Sequence, residues 1–502
     1  MHRPSSAEAE VADELAAVRP DLASRYAAEL PGARAAVLTR LWRALVHEPL
    51  PWIVRREGGA GLLLADGRRL EGPYADPYAV DGRVTAVRLG TASYDDPVRL
   101  LTDLAVPHGP AFAAELGHSV ASLALSRANQ DGTGGDPVTG WEWEQRVVDG
   151  HPFHPNCRSR PGFSVAEQLA YGPEHRPVVQ LALVAADGCA VHGEWPEWLR
   201  DGGAQGLPLI PVHPWQAAHV LQLPSRGALS AHPLMSLRSL ALPDNGPHLK
   251  TALSARLTSS VRDISPYSIG TAETVSAFME SMAARLDGLL HITRTLGAVT
   301  ADSPDLAAVL RESPDRYAGA GERVVPVGAL AATGFPQSPA WLAEFTRLAL
   351  TVGLRLLDLG VALEAHGQNL LVVLSASGDP LRLVYRDLAD IRVSPARLAR
   401  HGIPAPELTG RIVTDDEPTL RRKLFGSLVA GALGATAGSE AALRAALETA
   451  VRGLPRTPDL LALLEQPLPT KALTLMRLSP ETPGDLWTEL PNPLGEVKRE
   501  GD

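Results

Sequence analysis

The sequence is short of lysine, cysteine and long apolar runs, and it carries no excess of positive charge. Each shortage excludes something. Of 502 residues only Lys250, Lys423, Lys471 and Lys498 are lysines, against 43 arginines. With arginine as the default cation, a retained lysine points to a place where a compact ammonium serves better than a planar guanidinium, as on a phosphate. Leu249, Arg422, Thr470 and Val497 precede the four lysines, so none completes a GxxxxGK[ST] loop, and a P-loop NTPase is excluded. Two cysteines, Cys157 and Cys189, cannot build a disulfide framework or a four-thiolate zinc site and fit a reducing compartment. A net charge of −10 leaves no footprint for a nucleic-acid backbone. The most apolar run, residues 424–433, is about half a membrane span, and the acidic start has no signal-like apolar stretch. The expectation is a cytoplasmic protein with neither nucleic acid nor membrane as partner. Absence of GxSxG, HExxH, CxxC and a GxGxxG after a strand removes serine hydrolases, zincins and Rossmann dehydrogenases.

What is present is an ordinary globular composition, 45% hydrophobic and 21% charged, long enough for several lobes. Residues 6–47 read as two helices with a break at Pro31; 52–92 alternates short strand-like runs with Gly and Asp turns, and 110–129 returns to helix. The Gly-rich stretch 129–137 reads as a linker. Strand-like runs at 177–187, 234–242 and 249–259 follow, the last two joined through Asp244-Asn245-Gly246, a strong hairpin signal. Helices are expected at 272–291, 341–359 and 416–465, with a strand–turn–strand unit between the last two. The fold class expected is α+β, with lobes at 1–135, 136–325 and 326–502.

Four clusters carry chemistry. Residues 150–163 place two His and two Arg between prolines, which suits anion binding as well as it suits a stiff surface loop. Residues 210–216, IPVHPWQ, read equally as a structural turn. In the hairpin, Lys250, Ser254, Arg256 and Thr258 alternate with apolar residues, while Ser236 and Arg238 share a face of the other run; this resembles a cradle for a polyphosphate or polycarboxylate, or a solvated sheet face. Finally, Glu364, His366, Gln368 and Asn369 precede two strands that lead to Asp387 and Asp390, hard oxygen donors of the kind that suit Mg²⁺. Together they point to a Mg²⁺-nucleotide enzyme without a P-loop, acting on an anionic substrate.

Taken in order, GHPFHPNCRSRPGFS, YGPEHRP, IPVHPWQ, MSLRSL, LKTALSARLTSSVRDISP, LRESPDR, EAHGQN and YRDL resemble the signature series of the NRPS-independent siderophore synthetases, the IucA/IucC family, over about residues 150–390, continuing through KALTLMRL. The resemblance implies a cupped-hand architecture of thumb, fingers and palm, often dimeric, that uses ATP and Mg²⁺ to adenylate a carboxylate, commonly of citrate, and passes the acyl group to an amine, hydroxylamine or alcohol. It implies a catalytic set of Arg262, His154, His366 and Lys250. Ser236, Arg238 and Ser239 would line the ATP site, with Lys250 and His154 toward the phosphates. Thr258, Ser259, Arg262 and His366 would contact the carboxylate, and Lys471 the substrate or acceptor side. Glu364, Gln368 and Asp387 would serve Mg²⁺, with Asn369 beside the nucleotide. Lys423 and Lys498 gain no role and read as surface residues. Arg158 and Ser239 stand where relatives have lysine and threonine. Two rival readings remain, a kinase-like phosphotransferase and a nucleotide- or citrate-binding relative without turnover.

Overall fold

Four helices and a small sheet make up the N-terminal part of the computed structural model, which describes residues 6–81, 84–130, 137–200, 207–224, 227–257 and 260–495. Helices Ala7–Val18, Ala23–His47, Pro97–Leu104 and Gly109–Ala128 bury Leu38, Leu41, Trp42, Leu116 and Val120 in one core, beside a five-stranded antiparallel sheet spanning residues 53–94. The helical break falls at Pro20, which opens the short turn Pro20–Leu22, and not at Pro31. Pro31 lies inside the 25-residue helix, whose buried face continues through Ala33, Val37 and Leu41. That packing offsets a proline cost of about 3 kcal/mol.

The centre is an eight-stranded sheet that places the hairpin Ser239–Ala241 and His248–Thr251 between the strands Ala228–Pro233 and Ala307–Arg311. Asp244 and Asn245 both take the left-handed region, and Gly246 N–H bonds Pro243 O at 2.9 Å, the turn that the local sequence demands. The strands are shorter than their sequence suggests. The second ends at Thr251, and Leu253–Leu257 pairs instead with Ser260–Arg262 as a separate two-stranded unit. Lys250 and Ser254 therefore do not share one continuous polar face. Ser254 N–H is held by Gln216 Oε1 at 2.8 Å and its hydroxyl by Asp305. Thr258 and Ser259 lie outside the described residues.

A four-stranded mixed sheet, ordered Leu290–Ile292, Pro380–Tyr385, Leu370–Leu374, Arg323–Pro326, packs on the helix Pro339–Leu359. Gly360, at φ +112°, stops that helix. Its Cβ position would meet backbone at 3.0 Å, so no other residue fits. The C-terminal hairpin Leu468–Lys471 and Trp487–Leu490 returns to the N-terminal helices, where Glu48 accepts from Thr474 N and Leu475 N. No described helix is long and apolar enough to cross a membrane.

Candidate functional site

The hairpin turns its Lys250 toward Asp387, which follows strand Pro380–Tyr385 in the left-handed conformation at φ 67°. Lys250 Nζ donates to both Asp387 oxygens at 2.7 Å, and Arg311 Nη1 lies 3.9 Å from one of them. Burial pushes the Lys250 ammonium down to about 8, against the pull of Asp387. Burial also opposes ionisation of Asp387, but Lys250 and Arg311 outweigh it and hold the carboxyl well below its usual range. Arg238 adds to that field while its Nη1 donates to the carbonyls of Arg262 and Asp263 at 2.6 and 2.7 Å, tying the two hairpins together. Ser239 pairs across the ladder with Lys250, and Ser236 forms the turn before it, its carbonyl accepting from Ser239 N at 2.7 Å. A small cleft opens here, its walls including Ser239, Arg311, Gln368, Asn369, Arg386 and Asp387.

The turn 364–369 is held by its own backbone. Asn369 Nδ2 donates to Glu364 O at 3.3 Å, and Gln368 N–H donates to His366 Nδ1 at 3.3 Å, which leaves the neutral imidazole proton on Nε2. Arg386 bonds Gln368 O and makes a buried, two-toothed pair with Glu144 at 2.8 and 2.9 Å, so the turn is anchored to the segment before the eight-stranded sheet. The Glu364 side chain points elsewhere, to Lys423 Nζ at 2.9 Å and Lys471 Nζ at 3.6 Å. Lys423 also holds Asp390 at 2.8 Å, and Lys471 holds Asp485 at 3.2 Å. Burial works against the Lys471 charge, but Glu364 and Asp485 raise its pKa. Lys423 is only 5% exposed, which corrects its reading as a surface residue. The ammonium is buried because two carboxylates from different segments close on it.

The segment 150–163 also behaves differently from its composition. Arg158 and Arg160 both bond the buried Glu174 of YGPEHRP, so their charge is used inside the fold and not on an anion. His154 does sit near the site, where Arg262 and Lys471 both act on its charge. Its Nδ1 is 2.9 Å from Asn156 Oδ1, and because Asn156 Nδ2 donates to Glu115, the histidine proton is on Nδ1 and the Nε2 lone pair is free to accept. Burial pushes His154 down to about 3. His366 is likewise lowered by burial, against Glu364. Arg262, lowered by burial, lies within electrostatic reach of both Glu364 and Asp387.

The structure thus brings together Lys250, Arg238, Ser239, Arg262, Gln368, Asn369 and Asp387, with His154, His366, Glu364 and Lys471 alongside. Arg311, Arg386, Glu144 and Lys423 were not picked out from the sequence. Arg311 and Arg386 stand within LRESPDR and YRDL, and the rarity of lysine was the available signal for Lys423. Asp387, Gln368 and Asn369 offer hard oxygens on one cleft wall, a donor set that fits Mg²⁺. Among the described residues no three His, Cys, Asp or Glu side chains form a metal cage, so the ion would take its other oxygens from phosphate and water. Glu364, clamped by two lysines, is not part of that wall.

Residues 139–332 match the IucA / IucC family, and residues 339–485 match the ferric iron reductase FhuF-like transporter family. The chain is 26% identical over 310 residues to the citryl-spermidine/3,4-dihydroxybenzoyl-citryl-spermidine:spermidine ligase of Bacillus anthracis, covering 49% of this chain and 50% of that protein. It is 27% identical over 338 residues to the rhizobactin siderophore biosynthesis protein RhbC of Rhizobium meliloti, covering 53% and 57%. The chain spans about half the length of the curated relatives it matches. The fold is shared more widely. Petrobactin biosynthesis protein AsbB from B. anthracis superposes with a TM-score of 0.76 at 18% identity, over 94% of this chain and 98% of that one. The ATP-bound aerobactin synthetase IucA from Klebsiella pneumoniae superposes with a TM-score of 0.69 at 20% identity, over 92% and 99%. The expected α+β architecture of this class is therefore the observed one.

Proposed function

We propose that this chain is a member of the IucA/IucC family that uses ATP to activate a polycarboxylate such as citrate as an acyl-adenylate and passes the acyl group to an amine, hydroxylamine or alcohol. The observation that carries this reading is the gathering of Lys250, Arg311 and Arg238 on Asp387 in a cleft walled by Gln368 and Asn369, with Arg262 in reach. Among the relatives, one is a ligase named for citryl-spermidine, and one solved structure of the same fold is ATP-bound.

The chemistry follows from charge. A carboxylate and an α-phosphate repel, so in-line attack requires fixed cations around both in a partly dry cleft. Lys250, Arg311 and Arg238 face the phosphate side, and Arg262 stands between that cluster and Glu364. Mg²⁺ held by Asp387 with the amide oxygens of Gln368 and Asn369 would supply further positive charge to the phosphates. The Lys423–Glu364–Lys471 group lies toward the carboxylate substrate, where Lys471 can meet a second carboxylate by leaving Glu364. His154 and His366 are neutral at pH 7, and a pKa of about 3 makes His154 a poor general base there. They serve instead as one acceptor (His154 Nε2) and one donor (His366 Nε2) for the substrate. The attacking amine then has to arrive as its free base.

Product analysis tests this. Incubation with ATP, Mg²⁺, citrate and hydroxylamine is expected to release AMP and pyrophosphate with formation of a hydroxamate. ADP with a phosphorylated product establishes the phosphotransferase instead, and ATP binding without turnover establishes the non-catalytic relative.

A further inference from the structure

The cleft lies between two sheets that share no strand pairing among the described residues. Leu234, Ser239 and Arg311 belong to the eight-stranded sheet and its turns, while Gln368, Arg386 and Asp387 flank strands of the four-stranded sheet. The Lys250–Asp387 pair crosses from one wall to the other. In the reaction proposed above, phosphate takes Lys250 and Mg²⁺ takes Asp387, so the ligand dissolves the tie that it meets. Something else has to fix the spacing of the walls. Glu144, 1% exposed at the end of the helix Gly140–Glu144, bonds both. Its Oε2 accepts from Met235 N at 2.8 Å, in the turn between Leu234 and Ser239. Its two oxygens also accept from Arg386 Nη1 and Nη2 at 2.8 and 2.9 Å, and Arg386 Nε donates to Gln368 O at 3.0 Å. A forked guanidinium–carboxylate pair fixes direction as well as distance, and Arg386 is the neighbour of Asp387 in the chain. A five-residue helix is too short to hold itself, and other contacts seat this one. Trp141 stacks on His232 with ring centres 4.0 Å apart, Gln145 Nε2 donates to Pro233 O at 3.2 Å, and Gly140 N–H donates to Asp315 Oδ1 at 2.9 Å. The helix is thus fixed against the eight-stranded sheet, and its last carboxylate reaches across to the other wall. None of the Glu144 bonds uses the side chain of Lys250 or Asp387, so all of them survive when that pair opens.

We propose that Glu144 is a positioning residue that holds the two cleft walls at the spacing at which Mg²⁺ bridges ATP phosphates on one wall to Asp387 on the other. The proposal rests on the ATP- and Mg²⁺-dependent reading above and adds the residue that keeps its geometry once Lys250 and Asp387 separate. ATP without metal needs the cations of the eight-stranded sheet, whereas the gain in affinity that Mg²⁺ brings needs both walls in register. A purely structural ion pair has a different signature. Breaking it lowers Tm and leaves the Mg²⁺ gain of the folded protein untouched.

The test compares wild type, Glu144→Gln and the double variant Glu144→Gln with Arg386→Met, each in the whole chain. Calorimetry measures the Kd for ATP with Mg²⁺ and with EDTA in its place, and thermal unfolding is followed without ligand. Wild type is expected to bind ATP more tightly with Mg²⁺. Glu144→Gln keeps the shape and an acceptor for Met235 N but loses the charge that faces Arg386. It is expected to cut the Mg²⁺ gain about tenfold, the value of one hydrogen bond to a charged group, while the metal-free Kd stays within about twofold of wild type. The double variant removes the orphaned guanidinium and should recover Tm without recovering the Mg²⁺ gain. The proposal is overturned by a Mg²⁺ gain within about twofold of wild type in Glu144→Gln, by equal weakening of ATP with and without metal, or by recovery of the gain together with Tm in the double variant. Failure of both variants to fold, or a wild type that gains nothing from Mg²⁺, overturns it as well. Wild-type ATP binding with a Mg²⁺ gain but without any hydroxamate product defeats the ligase reading and leaves the role of Glu144 standing. Absence of ATP binding by the wild type defeats both.

Discussion

Lys250 Nζ lies 2.7 Å from each carboxylate oxygen of Asp387, a residue 137 positions away. The pair holds one compact cation and one hard anion at the point where phosphates and Mg²⁺ would each need a partner. In the proposed reaction an arriving phosphate would compete for Lys250 and release Asp387 for a metal ion.

Lys250→Arg keeps the charge but replaces a point charge with a planar fork. Hydroxamate formation is expected to fall about tenfold in Lys250→Arg and about 100-fold or more in Lys250→Met, the scale on which single preorganised donors act. Full activity in Lys250→Arg would show that a guanidinium serves equally well at this position.

ATP affinity is expected to depend on pH through Lys250. Its pKa is pushed down to about 8 by burial, so the ammonium is charged below that pH and neutral above it. Between pH 7 and pH 9 the Kd for ATP should rise up to about tenfold, one unit of protonation being one factor of ten. The same titration on Lys250→Arg should be flat over this range, because guanidinium does not titrate there.

Lys423→Ala is expected to destabilise the protein by about 3 kcal/mol, because it leaves Glu364 and Asp390 facing each other with a buried cation removed. A surface lysine would give a change within about 0.5 kcal/mol. Urea unfolding at pH 7 reads the difference, and Lys423→Ala paired with Asp390→Asn should recover part of the loss.

Glu48 sets a second pH dependence, in stability. Burial raises its carboxyl to about 7, against the bonds it accepts from Leu475 N and Thr474 N. A folded pKa above the unfolded one means that stability is fully present below about 4.5 and is lost as pH rises through 7. The loss amounts to about 3 kcal/mol across this window. Chemical unfolding at pH 5 and pH 8 measures it, and in Glu48→Gln the contribution should disappear from the difference between the two.

Local sequence patterns carried much of this protein. Asp244-Asn245-Gly246 determined a turn with two left-handed residues, the alternation around Lys250 determined a strand, and the ordered motifs pointed to the IucA/IucC family and its class of chemistry. Where the reading failed, the cause was tertiary. Periodicity could not show that the strand leaves its sheet after Thr251, since Leu253–Leu257 remains strand-like and merely changes partner. Nor could it show that Pro31 stays inside a helix whose far face is buried. Charges were the least legible. Arg158 and Arg160 turned inward to Glu174, Lys423 was buried between Glu364 and Asp390, and Arg386 met Glu144 from 242 positions away. A sequence states which residues carry charge; only packing decides which charges meet and how far they leave water, and those two quantities determine whether a side chain binds a ligand or holds the fold.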